Sequence, residues 1–147
     1  MADRCLAPAR MWASDRMKPL LVALALLGPT AAFAQTPLTA EEFDAQVTGH
    51  TITYSQFGGL FGIEEYLPNR QVRWSVAENL CQYGSWYAEG PAICFVYEYD
   101  PTPHCWTFWL EGGTLRALSV NDLPDAELTE VDRTDTPLSC PGPDVGA

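Results

Sequence analysis

From His50 onward, apolar and polar residues alternate with a period of two. Ile52 and Tyr54 alternate with Thr51, Thr53 and Ser55; Val72, Trp74 and Val76 alternate with Arg73 and Ser75. The same rhythm returns at Ile93, Phe95 and Tyr97, and again at Trp106, Phe108 and Leu110. Successive side chains on a strand point to opposite faces, so each run predicts a strand with one buried face. The runs are separated by turn chemistry: Gly58-Gly59, Pro68-Asn69, Glu78-Asn79, Gly90-Pro91, Asp100-Pro101-Thr102-Pro103 and Gly112-Gly113. Strands are expected near 50–56, 62–67, 71–77, 84–88, 92–98, 104–110 and 114–120, with an eighth near 127–131. Turns at such short, regular intervals describe an antiparallel meander, and hence a mainly β fold: a small barrel or a strongly curved sheet. A closed barrel removes edge strands; a sheet with a helix across its open face is the alternative. No P-loop, dinucleotide fingerprint or βαβ alternation is present.

Ahead of the strands the period is 3.6. Residues 35–49 read as one short helix, opened by the capping box Thr39-Ala40-Glu41-Glu42. Leu38 and Phe43 hold the positions of a hydrophobic staple, Phe43 and Val47 share a face, and Gly49 is placed to end the helix. Two turns of helix do not persist alone, so this one must dock on the sheet.

The first 34 residues break both patterns. Leu20–Leu27 is an uninterrupted apolar run behind Lys18, Gly28-Pro29 breaks it, and Ala32-Phe33-Ala34 has the small–any–small form of a cleavage site. Residues 1–34 are therefore expected to be a Sec-type signal peptide cut before Gln35, with Met17 the better start. The run is too short to span a bilayer, which takes about 20 apolar residues, and no later stretch is apolar enough. The expected product is a single β-rich domain over 35–147, in the periplasm or secreted. From about Thr134 its tail, with Pro137, Pro141 and Pro143, reads as irregular.

Removing that segment changes the charge. The 147 residues hold 8 Lys+Arg and 19 Asp+Glu. Arg4, Arg10, Arg16 and Lys18 leave with residues 1–34, as do Asp3 and Asp15, so four Arg and 17 acids remain, a formal charge of −13. A surface so acidic repels phosphate backbones and anionic lipid, which argues against nucleic-acid binding and membrane docking.

Four cysteines follow the apolar run: Cys81, Cys94, Cys105 and Cys140. An even count behind an export signal implies two disulfides with three possible connectivities. A hairpin centred near residues 99 and 100 sets Cys94 opposite Cys105, leaving Cys81–Cys140 to tie the tail to the sheet. The spacings match neither a CxxC pair nor a zinc pattern.

Candidate chemistry is sparse. His50 and His104 have no partner that spacing supplies, and no serine sits in a Gly-x-Ser-x-Gly elbow. Glu64 and Glu65 are adjacent on one strand, so they cannot flank one glycosidic bond without help from another strand, such as Glu98. Solvated surface acids are the expectation. The acids from Asp122 to Asp135 lack EF-hand spacing. No catalytic residue, metal site or cofactor is therefore assigned. The aromatics say more: 4 Trp, 6 Tyr and 5 Phe lie after residue 34. Most belong in a core. The remainder point to a barrel mouth or surface patch, for which Trp109, Tyr87, Tyr99 and Trp86 are the candidates, Trp109 because it has the opposite parity to Trp106 and Phe108.

Some of these stretches carry a resemblance. Residues 62–70 (Gly62 to Arg70), Val72-Arg73-Trp74, Gly84-Ser85-Trp86-Tyr87, Ile93 to Glu98, Cys105-Trp106-Thr107-Phe108 and Leu138 to Pro143 are similar to a set of uncharacterised exported small β-rich proteins of alphaproteobacteria. The strand–turn–Trp rhythm also resembles small lipocalin-like barrels. The resemblance implies an exported β scaffold and brings no activity or catalytic residue. The expected function is non-catalytic binding of an apolar small molecule or of a protein partner with a basic face. The alternative is an enzyme inhibitor or envelope-stress protein presenting the Asp100–Pro103 loop, pinned by Cys94 and Cys105.

Overall fold

The computed structural model describes residues 35–77 and 80–140. The expected signal segment, the Glu78-Asn79 turn and the tail beyond Cys140 lie outside the described residues. A helix, α1 (Ala40–Val47), precedes eight strands: β1 (Thr51–Gln56), β2 (Gly59–Leu67), β3 (Gln71–Ser75), β4 (Cys81–Glu89), β5 (Ala92–Tyr97), β6 (Asp100–Glu111), β7 (Thr114–Ser119) and β8 (Leu128–Thr134). Each strand pairs with the next, and β8 pairs back onto β1, so the meander closes into an antiparallel barrel. Closure settles the choice between barrel and open sheet: every strand edge finds a partner.

The helix is shorter than the 35–49 span read from its pattern, but it is built as expected. The Glu42 amide donates to Thr39 Oγ1, and the Thr39 amide donates to a Glu42 carboxylate oxygen at 2.8 Å. Gly49, at φ 88°, turns the chain out of the helix into β1. Phe43 and Val47 are fully buried. Phe43 lies within 4.5–6.4 Å, centroid to centroid, of Phe108, Trp86, Tyr66 and Phe95. These four side chains come from four different strands, so α1 plugs one end of the barrel.

The same end carries the tight connections: a short 3₁₀ turn at Pro68–Arg70, then Gly90-Pro91 and Gly112-Gly113. Both glycines of the last turn have positive φ, the conformation that suits right-twisted hairpins. The Arg70 guanidinium lies 4.7 Å from the centroid of Trp86 and covers it from outside.

The β5–β6 hairpin departs from its sequence reading. The turn is Glu98-Tyr99, and Asp100-Pro101-Thr102-Pro103, expected as the loop, lies within β6. Tyr97 pairs with Asp100 and Phe95 with His104, so β6 carries extra residues in a bulge. Proline has no amide hydrogen for the ladder, which puts Pro101 and Pro103 out of pairing. The Thr102 amide donates to Asp100 Oδ1 at 3.0 Å instead. Past the bulge the expected register holds, with Cys94 opposite Cys105. The disulfides are Cys94–Cys105 and Cys81–Cys140.

The second disulfide anchors the tail across the outer face of β2 and β3. There the Leu138 amide donates to Glu65 Oε2 at 2.9 Å, and Arg73 pairs with the same carboxylate. Glu65 is consequently buried. No helix among the described residues is long and apolar enough to cross a membrane.

Candidate functional site: a cavity at the open end of the barrel

The inward phase of the strands supplies a core at the helix-plugged end and a hollow towards the other. A cavity of about 210 Å³ is lined by Phe61, Glu64, Trp74, Gln82, Tyr97 and Trp106, with Tyr54, Tyr66, Phe95, Phe108 and Leu128 deeper in the barrel. Asp100, half-buried, and His104, exposed, stand at its mouth, with His104 Nε2 2.9 Å from Asp100 Oδ2. For scale, a dry apolar cavity of roughly 150 Å³ holds a benzene ring.

Local sequence explains the space. Gly62 and Gly84 occupy inward positions where a side chain would collide with a ring. A Cβ on Gly62 would overlap the Trp74 indole, and one on Gly84 would lie 2.7 Å from the Tyr97 ring. The two glycines let those rings lie flat against the wall. Phe61 faces inward because the β1–β2 register shifts between Tyr54 and Ser55. Its ring meets Trp74 at 5.6 Å and Trp106 at 5.7 Å, centroid to centroid.

Polar groups cluster on one wall. Register places Glu64, Trp74 and Gln82 side by side on β2, β3 and β4. Glu64 is 2% exposed; its Oε2 accepts from the Tyr97 hydroxyl at 2.9 Å, and its Oε1 has no partner. Gln82 Oε1 is likewise buried and unpartnered. A buried polar atom without a partner costs about 1–3 kcal/mol, and the chain retains two such atoms on residues that line the cavity. Burial pushes the Glu64 carboxyl well above the ordinary carboxylate range, against the hydrogen bond from Tyr97, which favours the charged form. Burial also raises the Tyr54, Tyr66 and Tyr97 phenols, so all three are neutral. The Tyr54 and Tyr66 hydroxyls meet at 2.9 Å and form the floor. The Asp100 carboxyl is held below its usual range by the Thr102 amide and by His104.

The rim is apolar. At this end Phe57 in the β1–β2 turn, Val76 and Leu80 between β3 and β4, Tyr99 in the β5–β6 turn and Leu123 between β7 and β8 are all exposed. All four of its connections therefore carry a large apolar side chain.

The four residues expected to bind do not meet in one place. Trp86 is buried at the plugged end against Phe43. Trp109 has the outward parity expected of it, yet it is only 4% exposed. Tyr87 points out from β4, next to the Cys94–Cys105 bridge. Tyr99 alone, 75% exposed, stands at the cavity end. Glu64 and Glu65, expected from the sequence to be solvated acids, are both buried, Glu64 inside and Glu65 under the tail. The missed signal was phase: Glu64 has the parity of Gly62 and Tyr66 in a strand whose other inward positions carry no charge.

Other clusters have simpler accounts. Of the acids from Asp122 to Asp135, Glu127 pairs with Arg116, Glu130 with Arg133 and Asp135 with His50. Glu89 lies near the sulfurs of Cys94 and Cys105, but these form a disulfide and offer no thiolate to a metal. A hollow of about 390 Å³ under the tail, between Leu138-Ser139 and Leu60, Ile63, Ser75, Val76 and Ala77, has no charged lining group among the described residues.

The described residues thus define a closed eight-stranded antiparallel barrel, plugged at one end by α1 and hollow at the other. No protein-family model matches this chain, and neither does any curated protein or solved structure.

Proposed function

We propose that this is an exported, non-catalytic binding protein whose ligand is a small, largely apolar molecule held in the open end of the barrel. One observation carries the reading: a cavity walled by Phe61, Trp74, Tyr97 and Trp106, in a barrel whose other end is filled. Apolar walls with a few convergent polar groups are the usual form of a ligand site. The Leu20–Leu27 run supports export, and the two disulfides are compatible with an oxidising compartment. Among the described residues the lining contains no serine, cysteine or lysine, which supports binding over nucleophilic catalysis. The inhibitor reading would now rest on the exposed Tyr99 turn, and it gives no reason for the hollow.

Calorimetric titration with 2-phenylethanol, a neutral ring with a short arm, tests the proposal. Saturable binding is expected. Leu128→Trp, which fills the cavity, should abolish that binding while circular dichroism shows the fold intact. Absence of saturable heat from wild-type protein, or undiminished binding to a folded Leu128→Trp variant, would overturn it.

A further inference from the structure

Building on that reading, we infer that the cavity is a receptor for an organic ammonium ion, a primary amine on an aromatic or aliphatic body, with Glu64 as its counter-ion. Among the described residues no lysine or arginine lines the cavity, while Glu64 sits within it and Asp100 stands at its mouth. An anionic ligand such as a fatty acid would enter against two carboxyl groups with no cation to receive it. The free atoms on the wall are both oxygens, Glu64 Oε1 and Gln82 Oε1, on either side of Trp74. Once Glu64 is ionised, its Oε1 and Gln82 Oε1 are both acceptors that lack donors and call for a ligand that donates; an ammonium group carries three N–H donors and no acceptor.

The walls suit the same charge. The ring clusters Phe61–Trp74, Phe61–Trp106 and Trp74–Tyr97 enclose the hollow, with centroids 5.6–6.5 Å apart. Aromatic faces attract cations, most strongly when water is excluded. A size of about 210 Å³ admits one ring and a short arm. Over the whole chain, acids exceed bases by 11, so the long-range field draws cations towards the protein.

The proton balance follows. Burial favours the protonated form of Glu64 in the empty cavity. An ammonium ion that replaces its proton leaves a carboxylate paired with the ligand and releases one proton to solvent. Amine affinity therefore rises with pH until Glu64 would ionise unaided. The groups around Glu64 are the neutral phenols of Tyr97, Tyr54 and Tyr66, the Glu130–Arg133 ion pair beyond Tyr54, and Asp100 with His104 at the mouth. A variant lacking only the Glu64 carboxyl isolates its contribution from those of its neighbours.

Three isosteric probes decide the matter: 2-phenylethylamine (cationic), 2-phenylethanol (neutral) and phenylacetate (anionic), titrated calorimetrically from pH 5 to 8. At pH 8 the amine should bind at least about tenfold tighter than the alcohol, and phenylacetate should be the weakest. Amine affinity should rise with pH, by up to about tenfold per unit while Glu64 is the displaced acid, and alcohol affinity should stay flat. Glu64→Gln should bring amine and alcohol within about threefold of each other and remove most of the pH dependence. Alcohol binding to that variant shows that its pocket is folded. Alcohol binding as tight as amine in the wild type would refute the ammonium assignment and leave the cavity reading standing. Failure of all three probes would refute both. An unchanged amine preference in a folded Glu64→Gln protein would refute the role of Glu64.

Discussion

At the helix-plugged end of the barrel, Phe43 enters among Tyr66, Trp86, Phe95 and Phe108, and the space is filled with rings. At the other end Phe61, Trp74, Tyr97 and Trp106 stand around a hollow. Both ends are built from the same strands, with the same inward alternation and the same supply of aromatics. Three local features separate them. Helix α1 contributes a side chain to one end and none to the other. Gly62 and Gly84 let two rings lie against the wall at the open end. Glu64 and Gln82 put polar atoms where apolar packing would otherwise close the space. Aromatic richness alone therefore does not distinguish a core from a site; what the rings close upon does.

The sharpest way to break the comparison is to empty the filled end. Phe43→Ala should cost about 3–5 kcal/mol, the range of large-to-small core changes, read from urea unfolding. Trp109→Ala, at a buried position on the outer face, should fall in the same range. A loss below about 1 kcal/mol at Phe43 would mean that the plug does not hold its end together.

The staples come next. Removing Cys81–Cys140 with paired serines frees a loop with a sequence separation of 59, against 11 for Cys94–Cys105. Chain entropy assigns them about 4 and 3 kcal/mol respectively. The ratio is the useful readout, because Cys94–Cys105 ties strands already paired in register. A larger loss from Cys94–Cys105 would show that loop closure is not what that bridge provides.

Glu64 gives a smaller effect with a definite sign. Its carboxyl is raised in the folded protein, so below the ordinary carboxylate range both states are protonated and burial carries no charge penalty. As pH rises past that range the unfolded chain ionises first, and the wild type loses stability by up to about 1.4 kcal/mol per pH unit until the folded group follows. Glu64→Gln lacks this loss. Parallel unfolding at pH 4, 6 and 8 should show the variant gaining on the wild type as pH rises from 4; a constant difference would mean that Glu64 ionises normally. The smallest effect belongs to the hollow end: Trp106→Ala, half-buried beside empty space, should cost less than half as much as Phe43→Ala.

How much of this was legible before the structure depends on which interactions are local. The capping box of α1, the strand alternation and the 94-to-105 register are set by neighbours in sequence, and each could be read directly. Pro101 and Pro103 looked like a turn because proline marks turns and bulges alike, and only pairing to β5 distinguishes them. The site was hidden for a different reason. Glu64 looks like a surface acid beside Glu65 until β2 is paired with β3 and the row Glu64–Trp74–Gln82 appears. Trp109 looked exposed because parity gives a side chain's direction and not what covers it.

The contrast between the two ends is tested most directly by the tryptophan indole N–H signals in a proton–nitrogen correlation spectrum. Trp74 and Trp106 line the hollow, and Trp86 sits at the plugged end with its Nε1 buried and unpartnered, a built-in control. On titration with 2-phenylethylamine at pH 8, the Trp74 and Trp106 signals should shift together and saturate while Trp86 stays in place. Equal shifts at Trp86, or no saturable shift at Trp74 and Trp106, would contradict the assignment of the open end as the binding site.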